Sequence, residues 1–278
     1  KDKGLHNESI DLGFNHKSGL FVNGGYTRNN HGGWQGDLTG REKRWHPKDQ
    51  ALMNGMFGFQ NRNMNVWYRL DFLDEKIFGP NNGSELQPEK VSDKDFLTKR
   101  YTHQLQSDWK LDNRLDVHAA LSYQDYKRRT RTTESDLSTG EKWLSSAEAS
   151  QDITQYKAWI ARATVAWNIA PEFSVQPGVE YQWTQGEGGR IDGTPKVSDL
   201  AFFLSAEYKP WEWLSLRPGV RTFIVADYDA PIAIPSVLTK FKLTKHMDLR
   251  LSYAYGFRSP TLQELYFSFH NDNHDIDG

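Results

Sequence analysis

Leu249-Arg250-Leu251-Ser252-Tyr253-Ala254-Tyr255-Gly256-Phe257-Arg258 alternates at every step. Successive side chains of an extended chain point to opposite faces. Leu249, Leu251, Tyr253, Tyr255 and Phe257 therefore form an apolar, aromatic face, and Arg250 and Arg258 lie on the other. A strand is predicted, broken at Pro260, with a polar segment from 261 to 278 beyond it.

The same period recurs upstream. Ile10, Leu12 and Phe14 lead through His16-Lys17-Ser18-Gly19 to Leu20, Val22 and Tyr26. Met53, Phe57 and Phe59 lead through Asn61-Arg62-Asn63 to Met64, Val66, Tyr68, Leu70 and Phe72. Comparable pairs flank Asp112-Asn113, Ala170-Pro171-Glu172, Pro210-Trp211-Glu212 and Lys245-His246-Met247-Asp248. The pattern predicts about twelve strands in about six hairpins, each near the roughly 10 residues that a tilted membrane strand needs. Connections within hairpins are short. Those between them are mostly long and polar: 30–49, 79–98, 130–150 and 185–196, with 260–278 at the end. Long loops on one end and short turns on the other are the asymmetry of an outer-membrane barrel.

Composition fits that reading. Only 37% of residues are hydrophobic and mean hydropathy is -0.75, and no run approaches a membrane helix. A barrel tolerates this because every second residue faces a polar lumen. A net charge of -2 argues against a nucleic-acid partner. Cysteine is absent, which excludes disulfides and cysteine-ligated metals. Charges fall on the face opposite the apolar one, Ser174, Gln176 and Glu180 opposing Phe173, Val175 and Tyr181. Periodicity alone also fits a solvated sandwich. Aromatic placement favours the barrel: Trp109, Trp167, Tyr208, Trp211 and Trp213 gather beside short turns, and Tyr123, Tyr126, Tyr181, Trp183, Tyr253 and Tyr255 toward the long loops. Two such girdles suit rings that pair an apolar body with a polar tip.

The segment Tyr255-Gly256-Phe257-Arg258-Ser259-Pro260-Thr261-Leu262-Gln263-Glu264-Leu265-Tyr266 resembles the box late in the barrel of TonB-dependent outer-membrane receptors. Phe257, Arg258, Ser259, Pro260, Glu264, Leu265 and Tyr266 carry the match. In that family a Gly-Asn-Pro-x-Leu box follows, and Asp275-Ile276-Asp277-Gly278 reaches the point where it would begin. The resemblance implies an all-β, antiparallel transmembrane barrel. Residues 1–278 would be part of a barrel of about 22 strands, with the plug domain and remaining strands outside it. It implies a non-enzymatic receptor in the outer membrane of a Gram-negative bacterium. Through the plug, the inner-membrane TonB complex would drive uptake of a nutrient chelate: haem, a ferric siderophore or cobalamin. The rival readings are a soluble all-β surface sugar-binding module and a closed outer-membrane barrel enzyme or porin.

Candidate ligand-binding residues are His270, His274, Arg258, Trp34 and Trp45, with His31, Arg41 and His46 in the same loops as the tryptophans. In haem-importing members a histidine after the box ligates iron, so the resemblance offers His270 and His274 as haem-iron ligands; the blander reading is two solvated loop histidines. Asn273, Asp275 and Asp277, followed by Gly278, match the first half of a calcium loop. No cofactor is expected to be required, and haem would be cargo. Arg217, Arg221, Arg250 and Arg258 are expected to face the lumen. His118 and Ser122, roughly 13 Å apart along one strand, are too distant to form a nucleophile pair.

Overall fold

The computed structural model describes residues 4–147, 149–188, 191–271 and 274–277. Twelve strands follow one another in a single antiparallel sheet, each paired with its neighbours in sequence. They are β1 (Leu5–Asn15), β2 (Leu20–His31), β3 (Lys48–Gln60), β4 (Met64–Gly79), β5 (Lys90–Lys110), β6 (Leu115–Asp136), β8 (Ile153–Ala170), β9 (Phe173–Glu187), β10 (Lys196–Trp211), β11 (Leu214–Val225), β12 (Ile234–Lys242) and β13 (Asp248–Ala254). A short β7 (Lys142–Leu144) pairs only with β6. Beyond β13 lie one helix, α1 (Leu262–Tyr266), and a hairpin of β14 (Ser268–Asn271) and β15 (His274–Asp277). No described helix is long and apolar enough to cross a membrane.

The short connections run from two to five residues, the others from 8 to 16. The predicted asymmetry therefore holds, with three corrections. Residues 79–98 and 130–150 are not wholly loop: β5 begins at Lys90 and β6 continues to Asp136, paired in register from Lys90↔Asp136 to Lys110↔Asp116. These are strands of 21 and 22 residues, about twice what a bilayer needs. Their outer halves are mostly polar and carry no alternating apolar run, so nothing announced them, yet ladder hydrogen bonds continue wherever two strands stay in register. The connection 226–233, not singled out in the sequence, also belongs to the long set.

The sheet has two unlike faces. Ile10, Leu12, Phe14, Val22, Met53, Phe57, Leu105, Leu121, Phe202, Leu204 and Leu251 lie on one, each at least about two-fifths exposed. That is an apolar band with no protein to cover it, as lipid would require. Rings meet across strands within it: Phe72 and Tyr101 at 4.7 Å, Tyr123 and Trp159 at 4.4 Å, and Trp211 stacked on Trp213 at 5.2 Å. The outer girdle loses one expected member. Tyr126 has the opposite parity to Tyr123 and packs near Tyr156 on the other face. That other face is polar, and the small buried core lies on it: Ile191, Val197 and Leu262, with Tyr156, Tyr228, Leu265 and Tyr266 around them.

Candidate functional site

The candidate site is the long-loop end of the polar face, where the chain after β13 folds back over the wall. β13 ends at Ala254, and Tyr255 makes a last backbone bond to the Pro235 carbonyl at 3.0 Å. Alternation stops there. Phe257, expected on the lipid face, instead packs against Phe223 at 5.5 Å and Tyr228 at 6.3 Å. Once the ladder is lost, nothing holds the strand's parity, and a partly buried ring contact decides the direction.

Pro260 then precedes a reciprocal helix cap. The Thr261 hydroxyl accepts from the Glu264 amide at 3.2 Å, and a Glu264 carboxylate oxygen accepts from the Thr261 amide at 2.7 Å. This is the Thr-x-x-Glu capping box, which supplies partners for orphan amides at a helix start. Arg258 adds a fork, donating to both Glu264 oxygens at 2.8 and 2.7 Å. The guanidinium and the Thr261 bonds together hold the Glu264 carboxyl down at about 2. Arg258 is thus committed to the box, not presented free to a ligand. The sequence reading placed 261–278 in a loop, although Thr261 and Glu264 at cap spacing were the signal for a helix.

The helix docks by its apolar side. Leu262 is 5% exposed, against Val197 and Ile191. The approach is close: a Cβ on Gly186 would meet Tyr156 at 2.8 Å and the Leu262 side chain at 3.0 Å. An isolated bridge joins Ile191 to Phe267, and the Asp192 amide donates to the Tyr266 carbonyl at 3.3 Å. Between helix and wall remains a cavity of about 400 Å3, bordered by Tyr156, Gln182, Asp199, Ser259 and Gln263. Burial, reinforced by Asp199, pushes the nearby Tyr228 phenol up to about 12.

Below the cavity the wall is a braced charge cluster. Glu180, 8% exposed, accepts from Arg221 at 2.6 Å and Gln182 at 2.9 Å, and Arg162 lies 3.3 Å away. Arg162 and Arg221 stand over the Phe203 ring at 5.0 and 5.8 Å. Phe203 in turn covers Gly178, where a Cβ would come within 2.2 Å of the ring. Arg221 and Arg217 face inward as expected, but each has a carboxylate partner in the wall, Arg217 at 3.6 Å from Glu207.

Of the other candidates, the tryptophans and their neighbours lie at the first long loop, and His270 and His274 in the terminal hairpin. Trp34 and Trp45 form a small bridge, bonded both ways at 2.9 and 3.0 Å, with rings edge-on at 5.6 Å. Both remain about half exposed, so they offer a stacking surface. His31 lies 6.2 Å from Trp45. Arg41, in the loop of the tryptophans, ties it to the connection between β4 and β5: it donates to Asp93 at 2.6 Å and to the Asn81 carbonyl at 2.9 Å. His270 and His274 stand on successive rungs of the β14–β15 hairpin, opposite Asp275 and Asn271. Asp277 pairs with Ser268, while Asn273 lies outside the described residues. Among the described residues no three metal-ligating side chains converge.

A polar-lined antiparallel wall with an uncovered apolar belt and an inward-folded segment at its long-loop end has the architecture of a membrane-spanning β-barrel wall. The TonB dependent receptor-like, beta-barrel profile matches residues 13–278, and the chain belongs to that family. No curated protein sequence matches it. Among solved structures, the siderophore receptor PirA from Pseudomonas aeruginosa superposes with a TM-score of 0.68 at 11% identity, over 93% of this chain and 40% of that one. The ferric enterobactin receptor PfeA from the same organism gives 0.67 at 13%, over 94% and 42%. The outer membrane transporter YddB from Escherichia coli gives 0.63 at 13%, over 86% and 36%. At these identities the likeness establishes the fold, and the chain spans about two-fifths of the solved receptors it matches.

Proposed function

We propose that this chain is part of the barrel of an outer-membrane importer of a Gram-negative bacterium, taking up a nutrient chelate by TonB-driven transport. The observation that carries the reading is the family match across nearly the whole chain. A barrel of about 22 strands would be completed by strands outside this chain, and the plug that meets TonB lies elsewhere in the receptor. The chain makes and breaks no bond in this reading, because its family is one of transporters and receptors.

Haem is the cargo for which the chain itself offers ligands, His270 and His274; neutral imidazole suits iron. Trp34 and Trp45 supply an exposed aromatic surface for a planar ring. A ferric siderophore is the second reading, favoured by the cargo named for PirA and PfeA; cobalamin is the third. Titration of the full receptor with haemin, a ferric catecholate and cobalamin separates the three. Haem predicts a Soret shift that is lost in a double His270→Ala, His274→Ala variant; an unchanged Soret band in that variant removes those ligands. Calcium at Asn273, Asp275 and Asp277 predicts a calorimetric signal that Asp275→Asn removes. Failure of a strain lacking the receptor to lose growth on any of the three chelates would overturn the importer reading.

A further inference from the structure

Two carboxylates on the polar face of the wall are equally buried and unequally served. Glu180 and Asp199 are each 8% exposed. Glu180 has Arg221, Gln182 and Arg162 around it. Asp199 has no ion pair among the described residues, and its Oδ1 is buried without a hydrogen-bond partner. The Tyr228 hydroxyl lies near Asp199 and Ser259 yet completes a bond to neither, and it too is buried and unpartnered. A buried charge without a partner is costly. The wall at Asp199 therefore lacks a donor that this chain does not supply.

Asp199 borders the cavity of about 400 Å3 between α1 and the wall. That volume suits a small molecule and far exceeds a bare ion. Its lining is mixed. Gln182, Thr184 and Ser259 offer neutral oxygens, and Tyr156, Val197 and Leu262 offer an aromatic ring and two apolar side chains. The Gln182 amide nitrogen is committed to Glu180 at 2.9 Å, which leaves its carbonyl oxygen to accept. Among the described residues that line the cavity, Asp199 carries the one charge, and there is no cation. No three metal-ligating side chains converge there, and the apolar half of the lining would give a hard metal ion no ligand.

An alkylammonium uses every part of such a lining. Its three N–H groups donate to a carboxylate and to neutral oxygens. Its charge is attracted to the face of a tyrosine ring, and its carbon chain is buried against apolar side chains. We propose that the cavity beneath the box helix binds a small organic cation, a primary alkylammonium, with its nitrogen on Asp199 and its chain against Tyr156, Val197 and Leu262. Leu262 belongs to the helix and Asp199 to the wall, so the ligand bridges the two and holds the box docked. The proposal does not rest on which chelate the receptor imports.

The test titrates the full receptor, in uncharged detergent, with n-butylammonium chloride by calorimetry, and with n-butanol as the neutral probe of the same length. The amine should bind and the alcohol should not. Asp199→Asn keeps the shape, removes the charge and should weaken the amine about 10- to 150-fold; protected amides in the β9–β10 ladder show that the variant is folded. Hydrogen exchange on the unaltered receptor gives a second readout. At ten times the dissociation constant, the Leu265 and Asp192 amides should gain about tenfold in protection. No binding of the amine, equal affinity for the alcohol, or equal affinity in folded Asp199→Asn overturns the proposal. So does amine binding with no added protection at Leu265, which would place the amine elsewhere. Growth on chelates is a separate measurement, so failure here leaves the importer reading standing.

Discussion

Replacing Leu262 by alanine should release the box helix from the wall while leaving the barrel folded. The magnitude follows from its surroundings. Leu262 is 5% exposed and sits against Val197, Ile191 and Tyr156. Truncation removes most of the roughly 1.5–3 kcal/mol gained by burying a leucine side chain. The added cavity penalty is at the low end, because the site already borders an open cavity of about 400 Å3. A loss of about 2–3 kcal/mol puts this change at the low end of buried Leu→Ala substitutions. It corresponds to a docking equilibrium about 30- to 150-fold weaker. Hydrogen exchange on the full receptor in detergent reads this directly. The Leu265 amide, bonded to the Thr261 carbonyl at 3.1 Å, and the Asp192 amide, bonded to the Tyr266 carbonyl, should lose protection by that factor. Amides in the ladder between β9 and β10 should keep theirs. Unchanged protection at Leu265 and Asp192 would show that the helix is held by something other than this contact.

Three further outcomes are expected. The Glu264 carboxyl is depressed from its ordinary 4.5 to about 2 in the folded chain, so its contribution to ordering the box is fully present above pH 4.5 and is lost as pH falls toward about 2; protease cleavage of segment 255–267 should rise across that window, and Glu264→Gln should flatten the profile. Glu180→Ala strands Arg162 and Arg221 around a buried position and should cost about 3 kcal/mol, measured by urea unfolding in detergent; a cost under about 1 kcal/mol, the median of an exposed pair, would show that the cluster is solvated. Phe57→Arg, on the lipid face and 60% exposed in the protein alone, should destabilise the membrane-inserted receptor by about 2–4 kcal/mol. The same change would be nearly neutral on a sandwich surface in water, so a neutral result in lipid would refute the assignment of that face.

What was legible in the sequence was whatever depends on neighbours along the chain. A period of two assigns faces without reference to any partner, so Ile10, Phe57 and Leu251 were placed correctly from alternation alone. Turn residues mark hairpin ends for the same local reason, and pairing within each hairpin followed from connections of two to five residues, whereas pairing across the longer ones did not. The limits of that signal explain the misses. The outer halves of β5 and β6 are mostly polar, and the few apolar residues there (Val91, Phe96 and Leu97) do not alternate, so only their mutual pairing reveals them as strand. Tyr126 was counted in the girdle by proximity to Tyr123, whereas parity sends it inward. Arg41 looked like a free cation until Asp93, far along the chain, came within 2.6 Å.

The box shows the division most clearly. Its residues, its cap spacing and its position after the last strand were all present in the linear sequence. That Phe257 turns toward Phe223, that Arg258 is consumed by Glu264, and that Leu262 finds Gly186 and Val197 were decided only by tertiary structure. The Phe257 and Leu262 contacts join positions tens of residues apart, and their energies come from burial and close approach, which no local pattern encodes.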